Sequence, residues 1–67
     1  MAFFRMTNPG NKDFQKAVTV CEMSLGCIVQ WIEDCINIVA FDRGDKELII
    51  DTIGEFGSVF VTDLAMN

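Results

Sequence analysis

Residues 24–41, SLGCIVQWIEDCINIVAF, admit two readings: a pair of isoleucine- and valine-rich strands joined at Glu33-Asp34, or the middle of one long helix. Taken singly, Val18, Thr19, Val20, Ile28, Val29, Ile36, Ile38 and Val39 favour strands. Spacing favours the helix. Over 13–41 the apolar residues Phe14, Val18, Cys21, Leu25, Ile28, Ile32, Cys35 and Val39 recur at alternating steps of four and three. The polar residues Gln15, Thr19, Glu22, Gly26, Gln30, Glu33 and Asn37 recur on the complementary face. Strand alternation gives no clean face on either side of Gln30.

The same count on DKELIIDTIGEFGSVFVTDL sets Ile49, Ile53, Phe56, Phe60 and Leu64 opposite Glu47, Asp51, Glu55, Ser58 and Thr62. Gly54 and Gly57 oppose a helix there, at about 1 kcal/mol each relative to alanine. Asn8-Pro9 suits a helix start, with Asp13 in the opening turn, and Asp42-Arg43-Gly44-Asp45 suits a break capped by Asp45. The expected fold is therefore all-α, one small domain over 1–67. It has an N-terminal arm 1–9, helix A about 10–41, a turn 42–45 and helix B about 46–64, the αα-hairpin packing into a helical oligomer. The alternative is α+β, with a helix 11–25 stopped by a Gly26 C-cap and a β-meander over 27–62.

The composition limits what such a chain can do. A 67-residue domain buries a marginal core, and 51% apolar residues point to association. Three cysteines without a C-x-x-C pair, and no histidine, fit neither a disulfide framework nor a zinc site. No secretory leader is evident and no apolar run reaches membrane-spanning length, so a cytoplasmic protein without a spanning segment is expected. A net charge of −5 argues against nucleic acid.

The candidate chemical motifs are weak. Arg43-Gly44-Asp45 spells an adhesion tripeptide but reads as an ordinary exposed turn. Glu33-Asp34 and Asp42, Asp45 and Asp51 lack calcium-loop spacing and a proton-transfer partner. Cys21 and Cys35 fall on the apolar stripe, where a thiol is a small hydrophobe. No catalytic, cofactor or metal residue is assigned, and no enzyme is expected.

In the hairpin, Trp31, Val20, Cys27, Ile38 and Phe41 lie off the stripe, and Phe14 and Val18 lie at the end of helix A that helix B is too short to cover. These seven form the expected interface. The expected function is a small non-enzymatic structural or interaction protein that self-associates through apolar helical faces. The alternative is a small acidic inhibitor of the phage type that binds a basic surface of a host protein complex.

Overall fold

In the computed structural model, residues 1–56 and 60–64 are described, and the decisive stretch is the end of a helix followed by a hairpin. The elements are β1 (Ala2–Thr7), α1 (Lys12–Leu25), β2 (Ile28–Trp31), β3 (Cys35–Ala40), α2 (Arg43–Gly54) and β4 (Val61–Asp63). The sheet is antiparallel in the order β2-β3-β1-β4. The all-α hairpin is thus overturned: helix A stops fifteen residues after Gly10, at Leu25, and helix B stops at Gly54. The chain is α+β, as the alternative had it, although a second helix and a fourth strand replace a simple meander.

Local chemistry explains each boundary. Asn8 Oδ1 accepts from the Gly10 N–H, Gly10 takes φ +77°, and the chain turns out of β1. Asn11, rather than Asn8, is the cap of α1, its Oδ1 accepting from Phe14 N–H at 2.7 Å. Gly26 ends that helix in the left-handed region at φ +69°, its N–H donating to the Glu22 carbonyl at 3.1 Å. Asp42, rather than Asp45, caps α2 by accepting from Gly44 N–H, so Arg43-Gly44-Asp45 is the first turn of a helix. Phe60 and Leu64, expected on helix B, flank β4. Gly57 and Ser58 lie outside the described residues.

The hairpin also explains why a helical period was so persistent past Gly26. Partners across β2 and β3 have residue numbers of constant sum: Ile28 opposes Val39 and Gln30 opposes Asn37. Ile32 and Cys35 exchange both backbone hydrogen bonds next to the turn. The apolar positions 28, 32, 35 and 39 are therefore cross-strand pairs on one sheet face, and the polar positions 30 and 37 are the pair between them. A pattern spaced four, three and four is common to a helix stripe and to a tight hairpin folded at its middle.

Both helices pack on the other face. Phe4 and Met6 of β1 and Ile36, Ile38 and Ala40 of β3 meet Phe14, Ala17, Val18 and Cys21 of α1 and Ile49 and Ile53 of α2 in one core, with Cys27 at its margin. The segment expected as an arm thus supplies a central strand, with Phe4 and Met6 fully buried. Burial of each large side chain contributes about 1.5–3 kcal/mol. The element order and sheet order are those of the ferredoxin-like split β-α-β arrangement, which hosts many unrelated activities and specifies none.

Candidate protein-binding surface

Of the seven interface residues expected from sequence, Phe14, Val18, Cys27 and Ile38 lie in the core. Val20, Trp31 and Phe41 are exposed at 55%, 43% and 53%, on α1, on β2 and beyond the end of β3 respectively. Cys21 and Cys27 are buried free thiols whose pKa burial pushes upward, away from the thiolate that nucleophilic chemistry needs. Among the described residues, no group of three or more Cys, Asp or Glu is arranged to hold a metal ion.

Two surfaces remain. The first is the sheet face opposite the helices, which no element covers among the described residues. Its central row is polar: Arg5 Nε donates to Asn37 Oδ1 at 2.9 Å, and Asn37 Nδ2 donates to Gln30 Oε1 at 3.1 Å. Thr62 continues this row on β4. Asn37 is almost fully shielded beneath its neighbours. The shielded Asn37 amide is thus partnered through both its oxygen and its nitrogen, while Arg5, Gln30 and Thr62 are exposed to water.

The second surface is the outside of the helical layer. A groove of about 330 Å³ runs between α1 and α2, lined by Asp13, Lys16, Ala17, Val20, Thr52 and Phe56. Its floor is apolar, with Val20 and Phe56 exposed at 55% and 39%. Asp51 and Glu55 precede Thr52 and Phe56 in the chain, and Glu47 lies one turn before Asp51; all three are exposed and each is four residues from the next. No basic residue lies in the last turn of α2, where the helix dipole disfavours carboxylates.

The charges are poorly neutralised within the chain. Of ten acidic side chains, Asp63 alone forms an ion pair among the described residues, with Lys46 Nζ at 2.6 Å. Sequence reasoning took Glu47, Asp51 and Glu55 only as the wet face of a helix and placed Phe56 on its buried stripe. A row of acids ending at an unbalanced helix C-terminus was the available cue. The chain matches no protein-family model, no curated protein and no solved structure.

Proposed function

We propose that this chain is a small non-enzymatic binding protein that sets its acidic helical layer against a basic surface of another protein. The observation that carries this reading is the adjacency of the Val20–Phe56 groove to the row Glu47, Asp51 and Glu55. An apolar cleft offers the desolvated centre of an interface, and the carboxylates offer long-range attraction and orientation at its rim. Of the seven apolar residues expected to drive self-association, Phe14, Val18, Cys27 and Ile38 are spent on the chain's own core. Inhibition of a complex by covering its basic surface is the use that such a module fits.

A fluorescein-labelled amphipathic peptide of lysine and leucine serves as the probe, read by anisotropy. Binding is expected to weaken as salt rises, and to weaken further both in Asp51→Lys and in Val20→Asp. Removing two charges elsewhere, in Glu33→Gln/Asp34→Asn, is expected to leave it nearly unchanged. Asp51→Lys and Glu33→Gln/Asp34→Asn change the net charge by the same two units, so equal loss in these two would mean that only net charge attracts the peptide, and the reading would fail; tighter binding by Val20→Asp would mean the same.

A further inference from the structure

The two edges of the sheet are not alike. β4 is three residues long, carries Asp63, and is tied to α2 through Lys46. β2, Ile28-Val29-Gln30-Trp31, has no charge, no proline and a regular pairing with β3. Edge strands in monomers are usually protected by such devices, because their free N–H and C=O groups invite another strand. Exposed Ile28, Trp31 and Ile32 flank this edge, which no other strand pairs among the described residues.

The hydrogen-bond phase of β2 is fixed by its turn. Ile32 and Cys35 exchange both bonds, so Gln30 and Ile28 also direct their N–H and C=O toward β3. Val29 and Trp31 direct theirs outward, away from the sheet. We infer that β2 pairs antiparallel with β2 of a second copy of this chain, about a two-fold axis through Gln30, making one continuous eight-stranded sheet.

The strand complements itself in that register. Val29 faces Trp31 of the second copy, and the reverse, and these are the residues with free backbone groups, so four N–H···O bonds form. The parity is also correct: Val29 and Trp31 both lie on the helix side, opposite Ile38 and Ile36. Ile28 meets Ile32 of the second copy on the open face. No acidic residue enters the junction. Glu33 stands opposite Cys27 of the second copy, about 20 Å along the strand from the other Glu33, well beyond the screening length of about 8 Å at physiological salt. The association does not use the helical groove, so it stands independently of the proposed function and doubles the acidic layer on one side of the sheet. With only four or five residues paired, the dimer is weak and concentration-dependent.

Light scattering after gel filtration, from micromolar to millimolar protein, is the first measurement, with Trp31 emission as a second reading. A monomer–dimer equilibrium with a blue shift on dimer formation is expected. Gln30→Glu keeps the acceptor for Asn37, so the fold is retained, but it opposes two carboxylates across the axis and should raise the dimer Kd about fivefold or more. Gln30→Lys should dissociate likewise, and an equimolar mixture of the two variants should recover a heterodimer. A strict monomer at every concentration, a dimer unaffected by Gln30→Glu, or a mixture that does not recover association would each overturn the inference.

Discussion

Asp51 is the residue whose replacement separates stability from binding. It lies on α2 between Glu47 and Glu55, with four residues to each, in the last turn of a helix that has no basic residue there. Each exposed like-charge pair at this spacing costs about 0.2–0.5 kcal/mol, and a Glu-to-Lys pair returns a similar amount. Asp51→Lys converts two repulsions into two attractions and places a cation where the helix dipole favours one, worth a further ~0.3–1 kcal/mol. Lysine is also the better helix former. Allowing for incomplete additivity, the variant should be more stable by about 1–2 kcal/mol at low salt. For a domain of this size that is a rise in Tm of roughly 7–14 °C. Thermal unfolding followed by circular dichroism, at low salt and at 1 M salt, is the assay. The gain should shrink at high salt, where the screening length is about 3 Å. A destabilised variant, or a gain of the same size at both salts, would refute the electrostatic reading of this row.

Other outcomes follow from single positions. Gly26→Ala forces a side chain into φ +69° with no neighbour within 4 Å, so its cost is backbone strain alone, about 1–2 kcal/mol by urea unfolding; no loss would mean that α1 does not end there. Asn37→Ala removes the bridge between Arg5 and Gln30 and should cost about 1 kcal/mol, whereas the same change at exposed Thr62 should stay within about 0.5 kcal/mol. Burial raises the pKa of Cys21 and Cys27 above the ordinary 9.0. The unfolded chain loses these protons first, so the stability they contribute is fully present below pH 9 and is lost as pH climbs through their folded values. Unfolding titrations between neutral and alkaline pH should show that decline, and it should be reduced in Cys27→Ala.

The end of α1 was legible in the sequence only as the alternative, since the favoured period carried the helix on to residue 41. The spacing of Phe14, Val18, Cys21 and Leu25 with a glycine at 26 describes that helix nearly as it stands, and Ile49 and Ile53 are buried as their period implies. The hairpin was hidden for two physical reasons. Its pairing places residues 28, 32, 35 and 39 on one face, which a count along the chain cannot distinguish from a helical stripe. Its two-residue link, Glu33-Asp34, contains no positive φ and so lacks the Asn-Gly or Asp-Gly pair that usually announces a tight turn. β1 was hidden by its non-local partners, since Phe4 pairs with Ile38 and Asp63. The candidate surface was partly legible: exposed Val20 was singled out, whereas Phe56, which lines the same groove from beyond the end of α2 at Gly54, was placed on a buried stripe.

The most direct test of the account is to map the lysine–leucine peptide onto the protein by backbone amide shifts in a ¹⁵N-labelled sample. The account expects the changes to centre on Lys16 to Val20 of α1 and on Glu47 to Phe56 of α2, leaving Arg5, Gln30 and Asn37 unmoved. Changes concentrated on the open sheet face, or spread evenly over every acidic residue including Glu33 and Asp34, would contradict it.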